Sequence, residues 1–187
     1  MSKALVVLAP GFEEIEAITI IDLLRRADIQ VTVAGLHGLQ PNAITGSHHI
    51  TVAPDTDIQH VKHETFDMLI LPGGQPGTNN LKSDETLLGW IKERFTQGKK
   101  LAAICAAPTV FHAAGITKNL KITSYPSEKK VFTDSQYLEE AVVKDGAIIT
   151  SRGVGTAIPF ALRLIEELKD RQTAQQVAER ILFEGRW

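Results

Sequence analysis

Residues 4–35, ALVVLAPGFEEIEAITIIDLLRRADIQVTVAG, contain the pattern that decides the fold. The apolar run at 4–9 ends at a Pro-Gly step, which is typical of a strand buried on both faces. Residues 13–27 then space their apolar side chains with the period of a helix, and residues 29–35 form a second apolar run. A buried strand, an amphipathic helix and another buried strand predict parallel neighbouring strands joined by a crossover helix.

The rest of the chain repeats this alternation. Three more apolar runs predict strands: DMLILPGG (67–74), LAAIC (101–105) and GAIITS (146–151). Three amphipathic stretches predict helices: 83–99 with Ser83 or Asp84 as N-cap, 156–171, and 173–185. The polar region 36–63 predicts short antiparallel strands and turns. With no linker or internal repeat, we predict one domain over residues 1–187, of the doubly wound α/β class, with a mostly parallel sheet covered by helices on both faces.

The composition is that of an ordinary globular chain. Its 187 residues, 43% of them apolar and 22% charged, can bury a core without disulfides or metals. A net charge of −2 with no long basic run disfavours nucleic-acid binding. The single cysteine cannot form a disulfide within the chain, and no apolar stretch approaches the ~18 residues that cross a membrane. We therefore expect a soluble, cytoplasmic protein.

The only cysteine, Cys105, lies in AAICAAP (102–108), where an apolar strand meets an Ala-Pro step. Pro108 suits the first turn of a helix. A thiol at that place would lie near unpaired backbone N–H groups, which favour a thiolate and can hold an oxyanion. The alternative is an inert, buried cysteine, because free cysteine is among the most buried residue types. This segment alone leaves both open.

Glu16 favours the functional alternative. At ~100° per residue it lies at the centre of an apolar arc of roughly 80° that includes Phe12, Ile20, Leu23 and Ala27. A carboxylate on an apolar face costs several kcal/mol unless it is paired or protonated. Burial would raise its pKa and let it transfer a proton near neutral pH. Its neighbours at 13 and 14 need no such role, since acids in a first turn complement the helix dipole.

Gly73 and Gly74 follow a predicted strand, where their backbone N–H groups could complete an oxyanion hole. They could equally form an ordinary strand-to-helix turn. The segment SRGVGT (151–156) lacks the spacing of a dinucleotide-binding loop.

The histidines give no convincing metal-ligand set. His48 and His49 are adjacent and would face opposite sides of a strand. His60 and His63 have no cysteine partner, and His112 lies two helical turns beyond Cys105. We predict no metal and no cofactor.

The segments ALVVLAPGFEEIEA, LPGG, AAICAAP and SRGVGTA, in this order, closely resemble the ThiJ/PfpI superfamily, in its DJ-one and YajL-like branch. The resemblance covers essentially the whole chain. It implies a flavodoxin-like, class I glutamine-amidotransferase-like fold and a homodimer. It also implies that Cys105 lies on a strained nucleophile elbow, that Glu16 hydrogen-bonds its sulfur, and that Gly73, Gly74 and Ala106 line the pocket.

The chain departs from its relatives at several positions. Protease-like members have His where Ala106 stands, which argues against a peptidase. Tyr125 takes a position that is His in the human-type protein, and Gly46 and Ala53 take the positions of its peripheral cysteines. Switching through those cysteines is therefore excluded.

A further departure concerns a possible anion pocket. Relatives often show Ser-Arg where this chain has Ser47-His48. The pocket that Arg26 and His48 would form here is correspondingly weaker.

Two hypotheses give Cys105 a chemical function, and a third leaves it inert. The first is a cysteine-dependent enzyme acting on α-oxoaldehydes, as a glutathione-independent glyoxalase that converts methylglyoxal to lactate, or as a deglycase of glycated side chains or nucleotides. The second is a redox-sensing stress protein or chaperone whose Cys105 is oxidised to a sulfinate. The third is a small-molecule-binding domain with an inert thiol. The enzyme is our leading hypothesis, and it predicts a thiol pKa below the ~8.5 of free cysteine.

The first helix also bears on assembly. Ile15, Ile18 and Ile21 lie off the arc centred on Glu16, so this helix has apolar surface on more than one side. This supports the homodimer that the resemblance implies.

Overall fold

A computed structural model describes residues 1–36, 43–61 and 65–187. Its strands are β1 (Lys3–Leu8), β2 (Gln30–Gly35), β3 (Ile44–Thr45), β4 (Thr51–Val52), β5 (Thr56–Asp57), β6 (Met68–Leu71), β7 (Lys100–Ile104), β8 (Lys121–Ile122), β9 (Gln136–Tyr137), β10 (Val142–Asp145) and β11 (Ile148–Ser151). Its helices are α1 (Glu14–Arg26), α2 (Ile58–Val61), α3 (Gly77–Lys82), α4 (Glu85–Thr96), α5 (Pro108–Ala113), α6 (Ala157–Leu168) and α7 (Arg171–Arg180), and two 3₁₀ segments cover Pro126–Val131 and Val154–Thr156.

The central sheet has seven strands in the order β10-β11-β7-β6-β1-β2-β5. All neighbours are parallel except β10 and β11. The chain leaves β1 toward β2 on one side and returns to β6 on the other, so the strand order reverses between β1 and β6. Ligands of open α/β sheets bind at the carboxyl ends of the strands beside such a reversal. The predicted doubly wound, mostly parallel sheet is confirmed.

Each face of the sheet is covered by its own layer of helices. Helices α1, α6 and α7 share one apolar core, which includes Ile20, Leu24 and Phe160. Helices α2 to α5 lie over the other face, with Leu87 and Phe111 in a second core. The apolar runs of β1, β6 and β7 are buried because both faces of these strands are covered.

Helix α1 starts where its sequence provides a cap. The Glu13 carboxylate accepts a hydrogen bond from the N–H of Glu16 at 2.7 Å, which contributes about 1 kcal/mol in helices of this kind. The predicted arc faces the sheet: Glu16 and Ile20 are completely buried, and the other three members of the arc are at most 4% exposed. In α4 the N-cap is Asp84, which accepts from the N–H of Leu87 at 2.7 Å.

The remaining differences from prediction lie in short elements. The polar region contains the antiparallel pair β3–β4, as expected, but β5 joins the main sheet in parallel with β2. The sequence did not predict α3 or β10, because a helix of six residues or an edge strand of four carries too little periodicity. The equally short α5 was expected from its Ala-Pro step, and it begins at Pro108. His63 lies outside the described residues.

Within the described ranges, no helix is both long enough and apolar enough to cross a membrane.

Candidate active site

Cys105 lies on the tight turn between β7 and α5. Its φ is 64°, a left-handed conformation that costs an L-residue about 1–2 kcal/mol. Two backbone hydrogen bonds hold it there: its N–H donates to the Ser151 carbonyl at 3.0 Å, and its carbonyl accepts from the N–H of Tyr125 at 2.7 Å. The turn leaves the thiol half-buried, at the carboxyl end of a central strand.

Gly73 lets three elements meet at this point. A Cβ built on Gly73 would lie 2.5 Å from the Cys105 Cβ and 2.8 Å from Glu16 Oε2, so only glycine fits between these side chains. Its N–H donates to Glu16 Oε2 at 2.9 Å. Gly74 has a φ of 95°, and a Cβ there would collide with the backbone of Glu13. Neither glycine therefore belongs to an ordinary turn.

The Glu16 carboxyl group is buried beside the thiol, as its place on the apolar arc predicted. Oε2 is held by Gly73, whereas Oε1 has no hydrogen-bond partner among the described residues. Burial raises the pKa of Glu16 to about 7; the hydrogen bond from Gly73 opposes this shift, and the charge of Glu13 adds to it. The group can therefore exchange a proton near neutral pH.

The pKa of the thiol is shifted in the opposite direction from the one expected. Burial, together with the negative charge of Glu16, raises the pKa of Cys105 to about 12. The backbone N–H groups of Ala106 and Gly74 point to the sulfur and lower this pKa, but by less than burial raises it. The expectation of a lowered thiol pKa is therefore wrong for a site in which Glu16 carries its charge. The sequence could not supply the sign of the shift, because the sign depends first on how deeply the fold buries the sulfur and then on the charge of Glu16 beside it.

A pocket of about 400 Å³ opens beside Cys105. Its other lining residues include Tyr125, Arg152, Gly153 and Val154. The Tyr125 ring lies against Gly153, where a Cβ would come within 3.4 Å of the ring. Arg152 and Gly153 were not predicted as pocket residues, although their segment SRGVGT is part of one of the motifs that resemble the ThiJ/PfpI superfamily. A larger cleft of about 870 Å³ at the amino ends of β1 and β7 includes none of the predicted site residues.

The proposed anion pocket does not form within one chain. Arg26 is in the last turn of α1, where its Nε donates to Asp22 at 2.6 Å. His48 lies beside the first turn of α1, where its Nδ1 is 3.0 Å from Glu14 Oε2. The length of α1 separates these positions by ~18 Å, at a rise of ~1.5 Å per residue. Each side chain already has a carboxylate partner.

The acids at the start of α1 do more than complement the helix dipole. Glu14 is buried, and its Oε1 accepts backbone hydrogen bonds from His48 at 2.6 Å and Ile50 at 3.4 Å. Hydrogen bonds from the His48 side chain and backbone hold the pKa of Glu14 at about 2, although burial acts to raise it. Gly46 packs directly against this carboxylate, leaving no room for a Cβ. These hydrogen bonds hold the turn between β3 and β4 against the first turn of α1.

Comparison with known proteins agrees with this geometry. Residues 2–167 match the model of the DJ-1/PfpI family. The chain belongs to the DJ-1/PfpI family. The resemblance found in the sequence is thus confirmed, and so is the fold that it implied.

Individual members of the DJ-1/PfpI family are similar over nearly their whole length. Protein dj-1beta of Drosophila melanogaster is 44% identical over 185 residues, 97% of this chain and 98% of that protein. Its crystal structure matches with a TM-score of 0.94 at 42% identity, covering 99% of this chain and all of that one. The glutathione-independent glyoxalase DJR-1.2 of Caenorhabditis elegans is 37% identical over 170 residues, 89% of each chain. The oxidised DJ-1 of Toxoplasma gondii has a TM-score of 0.93 at 36% identity, covering 99% of this chain and all of that one.

Proposed function

We propose that this protein is a cysteine-dependent enzyme that converts small α-oxoaldehydes such as methylglyoxal to α-hydroxy acids such as lactate, without glutathione. The observation that carries the proposal is that the Cys105 thiol and a buried carboxyl group with a pKa of about 7 lie on either side of Gly73, close enough to shift each other's pKa. A similar protein named as a glutathione-independent glyoxalase supports the choice of substrate.

The thiol and the carboxyl group titrate as a coupled pair. The charge of Glu16 raises the pKa of Cys105, whereas a hydrogen bond with Cys105 lowers the pKa of Glu16, so the pair holds a single proton between about pH 7 and about pH 12. With that proton on Glu16, the sulfur is a thiolate, and the N–H groups of Gly74 and Ala106 stabilise its charge. This tautomer is the nucleophile, and Glu16 is then the acid that accelerates the first step. Without Glu16, solvent can take the thiol proton and protonate the carbonyl oxygen, so the adduct still forms.

The reaction has three balanced steps. The Cys105 sulfur forms a bond to the aldehyde carbon, and the carbonyl oxygen takes the proton from Glu16, which gives a hemithioacetal. The Glu16 carboxylate then removes the hydrogen of that carbon and returns a proton to the neighbouring carbon through an enediol, which gives a thioester of lactate. Water hydrolyses the thioester and releases lactate and the thiol. The aldehyde carbon is oxidised and the ketone carbon reduced, so no external oxidant or cofactor is needed.

The same first step extends to a deglycase reaction. An early glycation adduct on a protein side chain or a nucleotide is a hemiaminal or hemithioacetal. The Cys105 sulfur forms a bond to its former aldehyde carbon as the bond from that carbon to the amine, thiol or base breaks, and Glu16 gives its proton to the leaving group. The resulting hemithioacetal then continues through the same steps to lactate. The pocket beside Cys105 is open enough to admit such an adduct. We propose this as a second use of one site in defence against carbonyl and oxidative stress.

An alternative function is oxidation of Cys105 itself, in a redox-sensing stress protein or chaperone. A peroxide would take the thiolate through a sulfenic to a sulfinic acid. Protonated Glu16 would donate to the sulfinate, and the N–H groups of Gly74 and Ala106 would hold its oxygens. The oxidised state of the similar Toxoplasma gondii protein favours this alternative.

We further propose one domain over residues 1–187, a cytoplasmic location and a homodimer formed through α1 and α6. Ile15 and Ile18 of α1 are 56% and 44% exposed, and Ile158 at the start of α6 is 36% exposed. Ile21, which was expected to join them, is buried at 7% and packs in the core. The apolar surface that remains on two packed helices supports a second subunit as its cover.

Lactate produced from methylglyoxal without glutathione tests the proposed enzyme. We expect lactate from the wild-type protein and none from Cys105→Ser, with thermal unfolding of the variant showing that it is folded. No lactate from wild type, together with a gain of two oxygen atoms at Cys105 under peroxide, contradicts the enzyme and supports the redox protein.

A further inference from the structure

The pocket beside Cys105 is larger than methylglyoxal requires. Its volume of about 400 Å³ lies in the range of ~300–1,000 Å³ that holds drug-sized ligands. Methylglyoxal has a skeleton of only three carbon atoms, and a single water molecule already takes up ~30 Å³ in the liquid. Methylglyoxal bound at Cys105 would therefore fill a small part of the pocket, and the rest is available to a larger substituent on the aldehyde.

The walls of the pocket beyond the thiol are mainly apolar. Tyr125, Pro126 and Val154 line them, together with the glycines Gly153 and Gly155. Tyr125 and Val154 are 49% and 42% exposed, so a single chain presents their apolar surface to solvent. Exposed apolar side chains gathered in one pocket indicate a binding site, whereas the same side chains scattered singly would not.

The Tyr125 ring is held in a defined position relative to the nucleophile. The N–H of Tyr125 donates to the Cys105 carbonyl at 2.7 Å, and its own carbonyl accepts from Ser124 Oγ at 3.1 Å. Its φ of −58° and ψ of 138° are the extended values that a following proline favours. One edge of the ring packs against Gly153, where a Cβ would lie 3.4 Å from Cδ2. A molecule bonded to the Cys105 sulfur would therefore meet this ring in one preferred orientation.

Arg152 is the one charged residue that the described part of the chain contributes to this lining, and its charge is already engaged. Its Nη1 donates to the Glu139 carbonyl at 3.1 Å. Lys129, and Arg152 in addition, lower the pKa of the Glu139 carboxyl group, so the guanidinium also interacts with a carboxylate that does not line the pocket. An apolar substituent is therefore a better match to these walls than a charged one.

We propose that this apolar region is a substituent subsite, and that the preferred substrates are α-oxoaldehydes with a flat apolar substituent, such as phenylglyoxal. The inference rests on the proposed function, because that function places the aldehyde carbon at Cys105. A phenyl group can pack edge-to-face or offset on the Tyr125 ring, and Pro126 and Val154 add apolar area that it would remove from water. Phenylglyoxal would react by the same three steps as methylglyoxal and give mandelate, with the aldehyde carbon oxidised and the ketone carbon reduced.

Two α-bromoketones test the subsite without requiring turnover. The Cys105 sulfur forms a bond to the CH₂ carbon of either phenacyl bromide or bromoacetone, and bromide leaves. Since the chain has a single cysteine, the site of alkylation is defined. The rate with phenacyl bromide is divided by the rate with bromoacetone, and this ratio is divided by the same ratio for N-acetylcysteine. The normalised ratio is independent of the reactivity of the reagents and of the thiol pKa, because both reagents react with one thiol.

We expect a normalised ratio of at least ~10 for the wild-type protein, the effect of ~1.4 kcal/mol. Tyr125→Phe keeps the ring and should keep this ratio. Tyr125→Ala should lower it several-fold, and thermal unfolding checks that this variant is folded, as the exposure of the side chain leads us to expect. The value of kcat/KM for phenylglyoxal should fall in Tyr125→Ala by a larger factor than the value for methylglyoxal.

The two assays separate this proposal from the proposed enzyme. A normalised ratio of at least ~10 in a protein that forms neither lactate nor mandelate supports the apolar subsite and contradicts the enzyme. Lactate formation by a wild-type protein whose normalised ratio is near one overturns the subsite and leaves the enzyme in place. A high ratio that Tyr125→Ala leaves unchanged also overturns the proposal.

Discussion

The raised pKa of Glu16 predicts that this residue destabilises the folded protein above neutral pH. Its pKa is about 7 in the folded chain against 4.5 in the unfolded reference. The unfolded chain therefore releases this proton at lower pH than the folded chain does, and stability falls as the pH rises from 4.5 through 7. The full difference corresponds to about 3 kcal/mol, at ~1.4 kcal/mol for each pKa unit.

Glu16→Gln removes this penalty because it keeps the shape of the protonated side chain. Its amide oxygen can still accept from Gly73, and it has no charge to lose. Relative to wild type, we expect the variant to be more stable by about 1 kcal/mol at pH 5 and by about 3 kcal/mol at pH 8. Urea unfolding of both proteins at these two pH values measures the difference.

Glu14→Gln is the matched control on the same helix turn. The pKa of Glu14 is lowered to about 2, so its charge stabilises the folded state above pH 4.5, and this stabilisation is lost as the pH falls through 2. The control should therefore lose stability at pH 8, where Glu16→Gln gains it. A gain for Glu16→Gln that is the same at both pH values, or a loss at pH 8, would refute the reasoning.

Three other predictions concern the thiol, the glycine beside it and the subunit contact. The rate of Cys105 alkylation should still increase above pH 9 in wild type. Glu16→Gln should lower the apparent pKa of the thiol because it removes a neighbouring negative charge. The same rate-against-pH curve for both proteins would contradict the interaction between Cys105 and Glu16. Gly73→Ala should lose activity and about 1–3 kcal/mol of stability through overpacking. Gly89→Ala in α4, where the added Cβ would meet open space, should keep its activity and stability. Unfolding and lactate assays compare the two variants. Ile18→Lys should shift sedimentation toward the monomer, and a wild-type protein that is already monomeric at micromolar concentration would exclude the dimer.

The main elements were predictable because each has a strong local signal. β1, β6 and β7 are unbroken apolar runs that end at Pro-Gly or Ala-Pro steps, and burial on both faces requires such runs. Glu16 was identifiable because a carboxylate stands out among apolar neighbours at helical spacing.

The contacts between distant segments were not predictable. His48 meets Glu14 only because the β3–β4 turn folds back onto α1. Arg26 was placed with His48 by resemblance, yet α1 holds it at the opposite end. The direction of the shift in the thiol pKa likewise depends on burial by distant segments and on the charge of Glu16, and not on the segment AAICAAP alone.

The central claim is that Cys105 and Glu16 act as one unit on an α-oxoaldehyde. The most direct experiment treats wild type, Glu16→Gln and Cys105→Ser with methylglyoxal and measures two quantities for each: the lactate formed, and the mass added to the protein as seen by native mass spectrometry. The account predicts lactate from wild type alone, a bound methylglyoxal without lactate for Glu16→Gln, and neither for Cys105→Ser. Lactate formation by Glu16→Gln at the wild-type rate, or by Cys105→Ser at all, would contradict it.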